Sequence, residues 1–184
     1  RVMRPRRLGL EDLSESGADH LVDVREPLAY AAGHMQGAVC LPVGMIPAFA
    51  GWFISEGETI ALIASEEDEL AQAMAHLVRI GLDNIVGGYV GVIPAAAQGK
   101  AMQSIAMIDT EEVARRLAED SEDWTLLDVR ALDERQQGSI DESEHVYVGE
   151  LNTRWKELDR DRHYTLMCAS GMRASVAAGW LASQ

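Results

Sequence analysis

The segment from Cys168 to Arg173 combines a nucleophile with groups that can bind an anion. An apolar run over residues 163–168 predicts a buried strand that ends at the cysteine, and an Ala-rich pattern predicts a helix over residues 174–183. The short loop between them allows successive backbone N–H groups to point inward at the helix N-terminus, where they bind anions. The predicted substrate-binding residues of this loop are Ala169, Ser170, Gly171, Met172 and Arg173.

Cys168 is the predicted catalytic residue, because its surroundings favour the thiolate. A helix N-terminus and a neighbouring arginine both stabilise a negatively charged sulfur, so no general-base histidine is needed. The alternative is a buried core cysteine, which is what we expect of Cys40 in an apolar run. Arg173 favours the catalytic interpretation, since a cation at a helix N-terminus opposes the helix dipole unless an anion lies between them.

An internal repeat supplies the elements that position this loop. Residues 21–25 recur as residues 126–130, both ending in Asp-Val-Arg, and residues 59–64 match residues 163–168. Short apolar runs that end in polar residues are typical of buried parallel strands. Because strands and helices alternate in both halves, we predict an α/β fold in which each half is a parallel sheet with helices on both faces.

The boundary between the two predicted domains falls near residues 96–104, a stretch of small and polar residues. The first domain is predicted to cover residues 1–100 and the second domain residues 101–184. After a helix predicted over residues 70–80, the first domain continues through a strand near residues 81–86 and a short helix near residues 93–98, and the second domain has no counterpart of these two elements. We therefore expect the second domain to be C-terminally truncated, with an apolar strand edge left unpaired.

The loop of the first domain lacks the groups that the second loop carries. The repeat aligns Ala64 with Cys168 and Glu69 with Arg173, and residues 65–69 are Ser-Glu-Glu-Asp-Glu. Alanine cannot act as a nucleophile, four neighbouring carboxylates repel an anion, and no base for the serine is apparent from the sequence. We expect the first domain to be catalytically inactive, to have a structural or regulatory role and to help build the mouth of the second site.

The composition limits the classes of partner and cofactor. Thirty acidic and 16 basic residues give a net charge of −14, which repels nucleic-acid phosphates and anionic membranes, so we expect neither as a partner. The five histidines show no spacing typical of a zinc site, and we expect no metal and no other cofactor. Two cysteines, no recognisable signal peptide and apolar runs too short to span a bilayer are typical of a cytoplasmic protein.

Two longer stretches carry a resemblance to a known family. Residues 21–42 contain Asp-Val-Arg-Glu and then Gly-His-Met-Gln-Gly-Ala, and residues 168–175 contain Cys-x-x-Gly-x-Arg before a predicted helix. Together they resemble the rhodanese family, once in each half and over almost the whole chain. The resemblance implies two rhodanese-like domains and a two-step reaction, in which Cys168 takes up a sulfane sulfur as a persulfide and a second thiophile removes it.

The resemblance also implies supporting roles at the strand ends, where side chains brace the loops by hydrogen bonds and ion pairs without taking part in catalysis. The residues with this implied role are Asp23, Arg25, Asp128 and Arg130. His34 has a similar implied role in the first domain. Ser139 stands at the corresponding place in the second domain, which is a departure from the pattern.

Three functions remain open. The first is sulfur transfer from thiosulfate or a thiol persulfide, through Cys168, to a thiol or a cyanide-like acceptor. The acidic surface slows the encounter with free thiosulfate, so a persulfide is at least as good a candidate donor. The second function is that of a non-catalytic binding or regulatory module in a larger protein. The third, a cysteine phosphatase, ranks last, because related phosphatase loops are one residue longer than the four residues between Cys168 and Arg173.

A domain without the loop cysteine, followed by a domain that has it, resembles the tandem rhodanese tails that are fused to metallo-β-lactamase-like enzymes. No His-x-His-x-Asp-His cluster occurs in the sequence, so such a zinc domain, fused or separate, would lie outside this chain. A homodimer is the other protein partner that we consider.

Overall fold

The computed structural model describes residues 4–119 and 123–184, and its elements follow the repeat. The strands of the first half are β1 (His20–Asp23), β2 (His34–Met35), β3 (Ala38–Cys40), β4 (Ile60–Ala64), β5 (Ile85–Val90) and β6 (Met102–Gln103). Its helices are α1 (Leu10–Glu15), α2 (Pro27–Ala32), α3 (Ile46–Phe53), α4 (Glu67–Arg79) and α5 (Val92–Ala97). Four strands form a parallel sheet in the order β3-β1-β4-β5, and β2 pairs antiparallel with β6.

The second half follows the same plan with fewer strands. Its elements are α6 (Thr110–Glu119), β7 (Trp124–Asp128), α7 (Leu132–Gln137), β8 (Glu144–His145), α8 (Leu151–Arg154), β9 (His163–Met167) and α9 (Met172–Ala182). The three strands form a parallel sheet in the order β8-β7-β9. The predicted fold class, an α/β protein with a parallel sheet in each half, is confirmed.

Strand β4 shows why the apolar runs fold as central strands. All five of its residues are buried, because a strand that is covered on both faces of a sheet has no solvent-facing side. Strand β5 pairs with one edge of β4 and is itself closely packed. A Cβ at Gly87 would lie 2.6 Å from Cγ of Leu8 and 2.7 Å from the backbone oxygen of Arg6, so this position requires glycine. A Cβ at Gly88 would lie 2.8 Å from Cδ1 of Leu70 and would displace that side chain.

Strand β9 corresponds to β4 in the second half, yet it is mostly half-buried. Strand β7 pairs with one of its edges. Within residues 4–119 and 123–184, no strand pairs with its other edge, where β5 lies in the first half. The expected open edge of the second sheet is therefore present.

Both helices that follow the central strands begin earlier than the sequence pattern predicts. Helix α4 begins at Glu67 rather than at residue 70, because its first turn is acidic and the positive end of the helix dipole stabilises it. Helix α9 begins at Met172 rather than at residue 174. Gly171 caps this helix in a left-handed conformation, with φ at 84°, which glycine adopts without steric cost.

Helix α9 packs against strand β3 of the first half. Gly179 makes the closest approach, since a Cβ at this position would lie 2.6 Å from Cβ and 2.7 Å from the backbone N of Cys40. The next residue, Trp180, packs on Phe53 of α3 with 5.4 Å between the ring centroids. One core of buried residues thus contains side chains from both halves. Cys40 is buried in β3, as predicted.

The segment after α5 also returns to the first half. Strand β6 pairs with β2, and the backbone N–H of Ile105 donates to the carbonyl oxygen of Ala31 at 3.0 Å. The domain boundary at residue 100 stays a prediction, and the bonds of residues 102–105 favour a position a few residues further along the chain.

Substitution of Gly179 by alanine tests how closely the two halves meet. Alanine stabilises most helix interiors relative to glycine, but here the added methyl group would overlap with Cys40. We expect Gly179→Ala to lower the free energy of unfolding by about 1–3 kcal/mol, the usual cost of overpacking a core. Urea denaturation followed by tryptophan fluorescence measures the change.

Gly51 in α3 is the matched control, because a Cβ there would meet no atom within 4 Å. Gly51→Ala is expected to leave the free energy of unfolding unchanged or to raise it by up to about 1 kcal/mol. Equal effects of the two substitutions would contradict the close contact between α9 and β3.

Candidate active site

Cys168 follows the C-terminal end of β9, and Gly171 leads the chain from there into α9. The Sγ atom accepts hydrogen bonds from the backbone N–H groups of Gly171, at 3.1 Å, and Ala174, at 3.4 Å. N–H groups at a helix start carry positive partial charge, so they stabilise negative charge on the sulfur. Cys168 is only half-buried, and the site therefore combines an anion-binding loop with access from solvent.

The five predicted substrate-binding residues form the rest of the loop. Gly171 contacts Sγ directly. Ala169 and Ser170 are exposed, and Met172 and Arg173 are half-buried. Ala174 lies outside the predicted set, although its N–H group donates to Sγ. Helix α9 starts two residues before its predicted start, so Ala174 is its third residue. The first N–H groups of a helix have no partner within the helix, and the N–H group of Ala174 is therefore free to face the sulfur.

Arg173 is held by an acid that the sequence pattern does not indicate. Its guanidinium group donates to both carboxylate oxygens of Glu134 in α7, with 2.7 Å between Nη2 and Oε1. The hydrogen bond from Arg173 lowers the pKa of Glu134 to about 2, so both groups are charged at neutral pH. Glu134 and, to a smaller extent, the Cys168 sulfur raise the pKa of Arg173. The guanidinium group therefore interacts electrostatically with both the Glu134 carboxylate and the Cys168 sulfur.

A second ion pair braces the end of β7. Asp128 is fully buried and accepts hydrogen bonds from Nε and Nη2 of Arg130, at 3.0 and 2.7 Å. Arg130 also donates to the carbonyl oxygen of Gly138 at 2.9 Å, which ties the strand end to the turn after α7. Burial alone would raise the pKa of Asp128, but the bonds from Arg130 outweigh it and lower the pKa. Asp23 and Arg25 form the same pair in the first half.

The loop position that His34 occupies in the first half has different surroundings in the second half. His34 is buried, stacks on Tyr30 with 3.8 Å between ring centroids, and donates from Nδ1 to the carbonyl oxygen of Tyr30. Ser139, its counterpart, is exposed. Close to it, Arg135 donates to both Oγ and the carbonyl oxygen of Ser143 at 2.9 Å. The second half thus fixes this loop with an arginine, which no motif in the sequence indicates.

The corresponding loop of the first half has a different chemistry. Ala64 ends strand β4 where Cys168 follows β9. The side chain of Glu69 accepts a hydrogen bond from the backbone N–H of Ser65 at 2.7 Å. A carboxylate therefore occupies the loop in place of a guanidinium group, and it would repel an incoming anion.

Cys168 and Gly171 line a cavity of about 260 Å³ between the two halves. Pro27 and Tyr30 contribute to its wall from the first half, and residues 105–110 contribute from the connecting segment. The first half therefore forms part of the surroundings of Cys168, although it has Ala64 at the corresponding place in its own loop.

Within residues 4–119 and 123–184, no helix is long and apolar enough to cross a lipid bilayer. The same part of the chain brings together no group of three or more His, Cys, Asp or Glu side chains that could hold a metal ion. Cys40 and Cys168 are both free thiols, so no disulfide links the two halves.

Comparisons with known proteins agree with the repeat. A sequence model of the rhodanese-like domain matches residues 9–94 and again residues 109–184. A putative sulfurtransferase of Bacillus subtilis, YtwF, is 31% identical over 80 residues, which are 44% of this chain and 77% of that protein. A sulfurtransferase of Allochromatium vinosum is 35% identical over 77 residues, which are 42% of this chain and 71% of that protein.

One solved structure extends over almost the whole chain. The thiosulfate sulfurtransferase of Pseudomonas aeruginosa aligns with 97% of this chain, at 18% identity and a TM-score of 0.46. This chain spans 41% of the length of that protein.

The two cysteines differ in their surroundings, which predicts selective alkylation. Cys40 is buried, and burial raises the pKa of its thiol to about 12. The sulfur of Cys168 faces two N–H donors in a half-buried loop. We expect iodoacetamide at neutral pH to modify Cys168 at least about tenfold faster than Cys40. Peptide mass spectrometry measures both rates.

Alkylation in urea is the control, because both thiols are then exposed and should react at similar rates. Equal rates in the folded protein, or a faster reaction at Cys40, would show that the loop does not activate Cys168.

Proposed function

This chain belongs to the rhodanese-like domain family, with one such domain in each half, and on that premise we propose that its second half is a sulfurtransferase centred on Cys168. The two sulfurtransferase relatives support the reaction type. The observation that carries the proposal is the pair of N–H groups, from Gly171 and Ala174, that donate to Sγ. They stabilise first the thiolate and then the outer sulfur of a persulfide.

The reaction consists of two displacement steps. The Cys168 thiolate attacks the outer sulfur of thiosulfate or of a thiol persulfide. The Sγ–S bond forms, the S–S bond of the donor breaks, and its electron pair leaves with sulfite or with the donor thiolate. A thiol or a cyanide-like acceptor then attacks the outer sulfur of the persulfide and releases the Cys168 thiolate. The steps balance without an external oxidant, reductant or cofactor.

The size of the loop favours sulfur over phosphate as the transferred group. Four residues separate Cys168 from Arg173, one fewer than in related phosphatase loops. The two N–H donors converge on one atom, at 3.1 and 3.4 Å, which suits a single sulfur better than the three oxygens of a phosphate.

We assign the first half a supporting role in this reaction. It has Ala64 at the place of the nucleophile, and Glu69 occupies its loop. Its strand β3 instead receives helix α9, whose N-terminus faces the sulfur, and its Tyr30 lines the cavity beside Cys168.

Intact mass spectrometry after exposure to a sulfur donor tests the proposal. With thiosulfate and, separately, with glutathione persulfide, the wild-type protein is expected to gain the mass of one sulfur atom, which cyanide then removes. Cys168→Ser is expected to gain no sulfur. Cys40→Ser is the matched control and is expected to gain as much sulfur as the wild type.

Sulfur uptake by Cys168→Ser would contradict the role of Cys168. A wild-type protein that takes no sulfur from either donor but binds another protein would favour a non-catalytic binding or regulatory module. Hydrolysis of p-nitrophenyl phosphate that disappears in Cys168→Ser would favour the phosphatase alternative.

A further inference from the structure

Glu134 is an acidic side chain in contact with the candidate anion-binding loop, residues 168–173. Both of its oxygens accept hydrogen bonds from Arg173, and the two side chains are 33% and 19% exposed, respectively. Bidentate bonds between a guanidinium group and a carboxylate are strong and fix the geometry of both groups. Arg173 therefore has a fixed position, and the neighbouring carboxylate offsets much of the charge that it offers to an incoming anion.

The internal repeat shows that this pair accompanies the cysteine rather than the fold. The Asp–Arg brace at the end of the first long strand occurs in both halves. In contrast, the first half has Ala29 in place of Glu134 and Glu69 in place of Arg173, and it still forms a four-stranded sheet. The first half therefore folds without this pair, which occurs in the half whose loop carries Cys168.

The charges next to the loop nearly cancel. A chain of ion pairs and Coulombic contacts joins three guanidinium groups and two carboxylates, namely Arg130, Arg135, Arg173, Asp128 and Glu134. Three positive and two negative charges leave a net charge of +1, on a protein whose total is −14. Without the charge of Glu134, the same cluster would carry +2.

The candidate donors differ in charge. Thiosulfate is a dianion, so its reaction with the Cys168 thiolate brings three negative charges together. A simple thiol persulfide carries one negative charge at the sulfur, and its reaction with the thiolate brings two together. A cluster with a net charge of +1 disfavours the more highly charged pair, because the unbalanced charges repel each other in a half-buried site.

We propose that Glu134 determines donor specificity: it holds Arg173 and offsets its positive charge, so that the loop selects a singly charged thiol persulfide over thiosulfate. This inference rests on the proposed sulfur transfer through Cys168. In the selected step the S–S bond of the persulfide breaks, the Sγ–S bond forms, and the electron pair of the broken bond leaves with the donor thiolate. Glu134 is a positioning residue, because it acts on the reacting atoms through Arg173.

Glu134→Gln separates the charge of this side chain from its shape. Glutamine is nearly isosteric and can still accept the hydrogen bond that the backbone N–H of Ala131 donates to Glu134, so the start of α7 keeps its cap. The kcat/KM values are measured with thiosulfate and with N-acetylcysteamine persulfide, whose only charge is at the sulfur. We expect the thiosulfate-to-persulfide ratio of these values to rise about tenfold over that of the wild type.

Asp133→Asn is the matched control, because it removes one negative charge from an exposed neighbour on the same helix. Its ratio is expected to change less than about twofold, since solvent screens the charges of exposed side chains. The rise in Glu134→Gln should shrink at high ionic strength, which a purely steric change would not produce.

Each outcome bears on the inference in a distinct way. If kcat/KM falls equally for both donors in Glu134→Gln, Glu134 only supports the loop and the specificity role is wrong. An equal rise in the ratio in Asp133→Asn would assign the effect to the overall charge and would also contradict the role. A wild-type protein that takes sulfur from neither donor would overturn the proposed function together with this inference.

Discussion

The contact between helix α9 and strand β3 is the constraint on which the rest of the structure depends. Gly179 lets the helix approach until its backbone meets Cys40 of the first half. The same helix begins after Gly171, about two turns away, so its position also fixes the N–H groups that face Sγ of Cys168. The first half thus helps to hold the loop that carries Cys168.

The two loops show how one frame supports opposite electrostatics. In the first half, Glu69 lies at the positive end of helix α4, which is the favourable position for an acid. In the second half, Arg173 lies at the same end of α9 and opposes the helix dipole. Glu134 compensates this cation with two hydrogen bonds. The cation at the start of α9 is therefore stabilised by a partner from another element, whereas the helix dipole itself stabilises Glu69 at the start of α4.

The sequence was sufficient for the parallel sheets, for the place of Cys168 at a strand end and for the acidic first loop, because these follow from local patterns and the repeat. The contact of Glu134 with Arg173 could not be predicted from the sequence, because the two residues are 39 positions apart and Glu134 resembles any solvated acid on a short helix. The contact of Gly179 depends on how the halves pack, which no local pattern specifies. The hydrogen bond from the N–H group of Ala174 to Sγ does not follow from the sequence pattern, because the left-handed Gly171 moves the start of α9 by two residues.

A crystal structure of the protein after treatment with a thiol persulfide tests most directly whether Cys168 carries sulfur. The predicted result is one additional sulfur atom bonded to Sγ of Cys168, within hydrogen-bond distance of the N–H groups of the loop, with Cys40 unchanged. A Cys168 that stays unmodified after prolonged treatment with excess persulfide, or an added sulfur on Cys40, would contradict the assignment of the second half as a sulfurtransferase.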